Sequence, residues 1–270
     1  MGNLLKMDFF KLRKIKLFWI SGIILLVVNV ILPIISKLFA DLLLRICEQS
    51  GDTTALADAL QLVEIMKQPY LLSDIFRTSF GGLSVLLILI MISAVSFSYA
   101  DITGGFVKNI AGQIPSRGYL AISKWIVIMV HNLVLMVCCM AGALIGQGVS
   151  RGINADSQIG EGLLEFFAKY LLLGGVCAFL LFFTTGICKR VLAIVLSVIL
   201  STGSLSIIYL PLNFGLSKLF NAEIDITKYA PDQMLTFTKI NPWVALAEAA
   251  VLTVLFLFLT VTIMKKRDVH

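Results

Sequence analysis

Residues Asp101–Lys124 read DITGGFVKNIAGQIPSRGYLAISK, a polar island between two long apolar runs. The island holds Lys108, Arg117 and Lys124 against the single acid Asp101, and its Gly104-Gly105 and Pro115-Ser116 pairs are the clearest turn signals between apolar runs. If the flanking runs cross a membrane, the island is a short loop that a soluble partner can grip. The fold therefore turns on how those runs are read.

The 270-residue chain is 59% hydrophobic and 14% charged, with a mean hydropathy of +0.96. Water-soluble domains carry about 25% charged residues. A bilayer core of about 30 Å takes about 20 apolar helical residues. Six runs have that character: Leu17–Phe39, Phe80–Tyr99, Trp125–Gly146, Leu163–Cys188, Val191–Leu212 and Trp243–Met264. The expected fold is an all-α polytopic membrane protein, with residues 1–270 forming one transmembrane domain of six helices. The first run follows the basic segment KLRKIK, as a secretory signal would. Its apolar part exceeds the roughly 7–15 residues of a signal core, and LFA before Asp41 is a poor small-x-small cleavage site, so an uncleaved span is expected.

Orientation follows from the cations. The segments holding Lys6 to Lys16, then Lys108, Arg117 and Lys124, then Lys189 and Arg190, then Lys265 to Arg267 contain 13 of the 22 cations and only Asp8, Asp101 and Asp268 of the acids. Cations near span ends favour the cytoplasm, so both termini and the island are expected inside. The net charge of +6 then reads as membrane topology, and no nucleic-acid partner is expected. Of the five cysteines, Cys138, Cys139, Cys177 and Cys188 lie within apolar runs and only Cys47 lies in an outer loop, which leaves no disulfide framework. Adjacent Cys138 and Cys139 point about 100° apart on a helix and suit packing better than a shared metal.

Residues 1–16 are predicted to form an interfacial helix, with Leu4, Leu5, Phe9, Leu12 and Ile15 on one side and Lys6, Arg13 and Lys14 on the other. A basic anchor serving topology alone is the other reading. In the first span, Pro33 frees the carbonyl of Asn29, for which a packing role is preferred over a functional kink. The outer loop 40–79 has helical recurrence at Leu56, Ala59, Leu60, Val63 and Met66, with Asp52 or Thr53 as cap and Pro69 as stop. A second outer segment, 213–242, carries turn formers at Asn213, Gly215, Pro231 and Asn241-Pro242. Ser197, Ser201 and Ser204 stand at i, i+4 and i+7, a shared face that serves helix packing or lines a transport path. His131 is expected near the inner boundary, where water reaches it. Glu165 and Lys169, four apart, are placed to pair along their helix, and Glu248 to reach the outer interface.

The chain has no GxxxxGK[ST] phosphate loop and no HExxH, and with only His131 and His270 it assembles no histidine-based metal site or nucleophile. It is therefore not expected to be an enzyme by itself.

The layout resembles the permease subunits of ABC-2 type exporters, closest to the bacterial lantibiotic-immunity and antimicrobial-peptide exporter group. The resemblance rests on the opening KMDFFKLRKIKLFW, the six runs, the short inner loop after the second run and the long segment before the sixth. In the island, Asp101, Thr103-Gly104-Gly105, Lys108-Asn109, Ser116-Arg117 and Lys124 match the family's coupling loop, with aspartate where glutamate is commoner and Gly-Gly where Gly-Thr is usual.

The resemblance implies a multi-pass protein of the bacterial cytoplasmic membrane that expels an amphipathic substrate: an antimicrobial peptide, a lipid or a hydrophobic drug. It implies a separate cytoplasmic ABC ATPase, which carries ATP and Mg2+, gripping residues 100–124 and an elbow helix (Phe9, Phe10, Arg13, Lys14). Lys108, Asn109 and Arg117 would dock on it, Gly104 and Gly105 would permit the turn, and Asp101 and Lys124 would bound the loop. Six spans make half a permease, so a second copy or a related permease is implied, with membrane lipids around both. The chain itself would bind no cofactor and no metal. An ion-coupled secondary transporter or channel, and a non-transporting membrane scaffold, are the other readings.

Overall fold

A computed structural model of the chain describes residues 2–50, 53–78, 84–103, 116–220 and 225–266. Helix α1 (Gly2–Lys14) is separated from α2 (Lys16–Ser50) only by Ile15. Then come α3 (Thr53–Lys67), α4 (Leu72–Thr78), α5 (Ser84–Thr103), α6 (Gly118–Ser150), α7 (Ile159–Leu181) and a π turn at Phe182–Gly186. Helices α8 (Arg190–Thr202), α9 (Ser206–Phe220), α10 (Pro231–Thr236) and α11 (Pro242–Lys266) complete the described chain. Strands β1 (Tyr70–Leu71) and β2 (Ile153–Asn154) pair in parallel, Tyr70 beside Ile153. Otherwise the secondary structure of the described residues is helical.

Helices α2, α6, α7 with its π turn, and α11 are each long and apolar enough to cross a membrane, and α8 with α9 makes a fifth if that bent pair counts as one span. The apolar part of α5, Leu86–Ala100, is shorter. Three expectations are corrected here. The loop expected from Ala40 is helix as far as Ser50, because DLLLRICEQS contains no breaker before Gly51. The expected run Val191–Leu212 is broken: Gly203 (φ +65°) caps α8 in the left-handed conformation, and α9 leaves at 65°. Asn213 and Gly215 sit inside α9, where the Asn213 side chain bonds Asp225, Ile226 and Thr227 instead of turning the chain.

Burial identifies the centre of the bundle. Two-thirds of the apolar window of α7 is buried, against 17% for α2 and for α11. Helix α7 lies along α11, and α2 along α6. In lipid, apolar side chains gain little by leaving their surroundings, so helices associate through close fit and polar contacts. The α2–α6 pair shows that fit. A Cβ on Gly142 would stand 2.6 Å from the Leu26 carbonyl oxygen, and one on Gly146 the same distance from that of Asn29. Pro33 has no N–H to offer the Asn29 carbonyl, and the Gly146 backbone covers that oxygen. Lys37 of α2 donates to the Ser150 carbonyl and closes the far end of α6.

Two ends of the bundle can be told apart. Leu4, Leu120, Ala121 and Met264 form one cluster, Ser98 bonds Thr184 at 3.0 Å, and the Arg190 guanidinium stands 5.6 Å from the Tyr99 ring. These contacts gather α1, the end of α5, the start of α6, the π turn, the start of α8 and the end of α11 at one basic end. At the opposite end, Ser73 donates to Asp156, through its backbone at 3.1 Å and its hydroxyl at 2.5 Å, and β1 pairs with β2. The Ser73 bonds hold the Asp156 carboxyl below the usual carboxylate range.

Beneath that clasp, Arg77 of α4 donates to Glu165 of α7 at 3.0 Å, with Asp74 at 3.3 Å and Glu161 at 3.6 Å. Burial opposes the Arg77 charge, but the bond to Glu165 and the fields of both carboxylates outweigh it and raise its pKa. Glu165 also accepts from the Ile240 N–H, and the Lys169 ammonium donates to the carbonyls of Arg77 and Phe237 at 2.7 Å and of Thr238 at 3.3 Å. Arg77, Glu165 and Lys169 are 6%, 3% and 0% exposed, so this is a buried ionic knot.

Two substitutions test these contacts by unfolding in detergent. Gly146→Ala forces α2 and α6 apart and costs about 1–3 kcal/mol, whereas Gly160→Ala, with nothing near its Cβ, is neutral. Arg77→Met strands the Glu165 carboxylate and costs about 3–5 kcal/mol. A cost under about 1 kcal/mol would show that the pair is not buried as described.

Candidate functional site

The basic end is the candidate site, and α1 is its first component. Leu4, Asp8 and Leu12, at i, i+4 and i+8, form the side of α1 that faces the bundle. Sequence periodicity had placed Phe9 with Leu4 and Leu12. Instead Phe9 and Phe10 are 37% and 59% exposed, and an acid takes the inward place. Asp8 is buried, and Ser123 of α6 donates to its Oδ2 at 2.6 Å. Phe9, Phe10, Arg13 and Lys14 all lie on the exposed side, with the Lys14 ammonium 4.4 Å from the Phe10 ring centre. Trp19 Nε1 donates to the Arg13 carbonyl at 3.0 Å and bridges the break between α1 and α2.

The coupling residues are not placed alike. Gly104, Gly105, Lys108 and Asn109 lie outside the described residues, and Asp101 is in the last turn of α5. Arg117 is the half-buried N-cap of α6. Lys124, two turns on, is 1% exposed, and its ammonium stands 5.3 Å from the Phe97 ring of α5. Lys124 is therefore turned into the bundle at the junction of α5 and α6. Gly118 packs against Val261 and Lys265, which seats the first turn of α6 on the end of α11.

The three serines do not share one helical face. Ser197 and Ser201 are fully buried on α8, which packs chiefly along α5, and their hydroxyls donate to Ile194 and Val198 of their own helix. Ser204 lies past the break at Gly203 and is exposed. His131 is 2% exposed, 5.2 Å from the Phe18 ring and 3.3 Å from Ser93 Oγ, and so is not at a wet boundary. The Ser93 hydroxyl also donates to the Ile90 carbonyl at 2.8 Å. Among the described residues no group of three or more His, Cys, Asp or Glu is placed to hold a metal.

Sequence reasoning missed Asp8 and Ser123, which a search for lone acids in apolar helices would have raised. It also missed Arg77, for which no local signal exists. No protein-family model matches the chain, and no curated protein matches it in sequence. What fold and site define is a class: an all-α chain with four to five helices able to cross a membrane, carrying a cation-rich end built around α1 and the start of α6.

The Asp8–Ser123 bond is open to test. Ser123→Ala leaves a buried carboxylate short of a donor, which costs about 1–3 kcal/mol. Hydrogen exchange should then rise over residues 2–14 and not over 242–266. An unchanged pattern would mean that the Ser123 bond does not hold α1 in place.

Proposed function

We propose that this chain is the permease subunit of an ATP-driven exporter of the ABC-2 type, moving an amphipathic substrate out of the bacterial cytoplasmic membrane. The observation that carries the reading is the convergence at one end of α1, the end of α5, the start of α6 and the end of α11. A bundle without a phosphate loop needs outside work to move a substrate uphill, and this end offers a soluble motor several elements at once. In this reading α5 is the second of six spans, the bent α8–α9 pair is the fifth, and both termini are cytoplasmic. A cytoplasmic ATPase with ATP and Mg2+ grips residues 100–124 through Lys108, Asn109 and Arg117, beside the elbow residues Phe9, Phe10, Arg13 and Lys14. A second permease copy or a related permease completes the pathway.

The 65° break between α8 and α9 favours a second reading, since ion-coupled transporters build their sites on discontinuous helices. Such transporters place broken helices at corresponding positions in both halves of the chain, and the described residues hold one broken pair. The exporter is therefore the preferred reading.

Arg117→Glu and Lys108→Glu test it. Each should abolish co-purification with the ATPase and its stimulated turnover, while the permease keeps its elution volume and thermal midpoint. Unchanged assembly and turnover in both variants would remove the docking role, and ion movement by the purified chain alone would favour the second reading.

A further inference from the structure

At the end opposite the candidate site, a half-open cavity of about 450 Å³ lies between the 3-10 turn Ile226–Tyr229 and the connection from α10 to α11. Its two walls are anchored to different parts of the bundle. Asn213 of α9 holds the first, through Asp225 at 3.0 Å, Thr227 Oγ1 at 2.9 Å and the Ile226 N–H at 2.9 Å. The buried knot on α7 holds the second: Lys169 through the carbonyls of Phe237 and Thr238, and Glu165 through the N–H of Ile240. A recess whose walls are fixed by buried charges on one side and a triply bonded amide on the other is a formed cavity rather than a gap between loops.

The lining is amphipathic. Met234 and Ile240 are buried at its base, while Phe237 and Tyr229 are 39% and 54% exposed and give it an apolar flank. Of its charges, Lys228 is offset by Asp225 at 3.6 Å. Lys239 has no carboxylate within ion-pair distance among the described residues, so the described lining carries one net positive charge. A cationic ligand would meet that charge, and a neutral apolar one would leave it unused.

We propose that this cavity binds an anionic amphiphile, with an acyl or other apolar part against Phe237, Tyr229 and Met234 and a phosphate at Lys239. A phospholipid headgroup with its first acyl segments has that chemistry. The inference stands on the cavity alone, and neither the identity of the motor nor the direction of transport enters it.

The test uses the full chain in detergent. Dioctanoyl phosphatidylglycerol, dioctanoyl phosphatidylcholine and glycerol 3-phosphate are titrated separately, with binding read by native mass spectrometry and by the shift in thermal midpoint. Phosphatidylglycerol is expected to bind about fivefold tighter than phosphatidylcholine, a preference that one cation near a membrane surface supports. Lys239→Gln removes that preference, and Phe237→Ser weakens both lipids while keeping it. Both side chains are exposed, so neither variant disturbs the fold. Equal binding of the two lipids by the unaltered chain, a preference that survives Lys239→Gln, or glycerol 3-phosphate binding as tightly as the lipid would each overturn the proposal.

Discussion

A guanidinium, a carboxylate and an ammonium, all withdrawn from solvent, tie α4, α7 and the entry to α11 into one block at the end opposite the basic face. Removing such charges from water costs several kcal/mol per ion, and their attraction offsets this only when every lone pair and proton is matched. Here the matching is extensive. Glu165 takes Arg77 on one oxygen and the Ile240 N–H on the other, and the three protons of Lys169 have three carbonyls to meet. Such a knot contributes less to net stability than to uniqueness, because few alternative arrangements would satisfy all three charges.

The knot matters more in this chain than it would in a soluble domain. Helices α2, α6, α8, α9 and α11 show apolar side chains to their surroundings along much of their length, Val251, Val254 and Phe258 of α11 among them. Such surfaces fix no register between helices, because sliding one helix past another exchanges one apolar contact for another. Register comes instead from points where only one alignment works: the Gly142 and Gly146 approach to α2, the Ser123–Asp8 bond to α1, and the knot.

This distribution explains what could be read from the amino acids. The all-α membrane character and the long apolar helices follow from run length and charge scarcity, which are local properties. The Gly142-x-x-x-Gly146 spacing was also on view as a small-residue contact motif and went unread. Gly203, between Thr202 and Ser204, was visible as a possible break, but the apolar residues on both sides made one span the simpler reading. Arg77 and Glu165 are separated by 88 positions, and a lone arginine in an apparent loop carries no signal that its partner lies at the start of another helix. Asp8 was obscured for a different reason. Leu5 and Phe9 make as good an apolar stripe on α1 as Leu4 and Leu12, and the inward stripe is the one that brings Asp8 to the Ser123 hydroxyl.

The two ends of the bundle are joined to each other in different ways. Helix α7 runs from the knot to the π turn, where Thr184 bonds Ser98 of α5, so it joins the two ends through the most buried of the four long apolar helices. Helix α9 attaches differently. It leaves α8 at the Gly203 break, and the short helix α10 staples it there: the Gln233 amide donates to the Gly203 carbonyl at 2.8 Å, and the Tyr209 hydroxyl donates to buried Asp232 at 3.0 Å. One wall of the cavity belongs to the α7 block and the other hangs from Asn213 on α9. Any change in the bend at Gly203 must therefore move one wall against the other, since Asn213 travels with α9 while Lys169 does not.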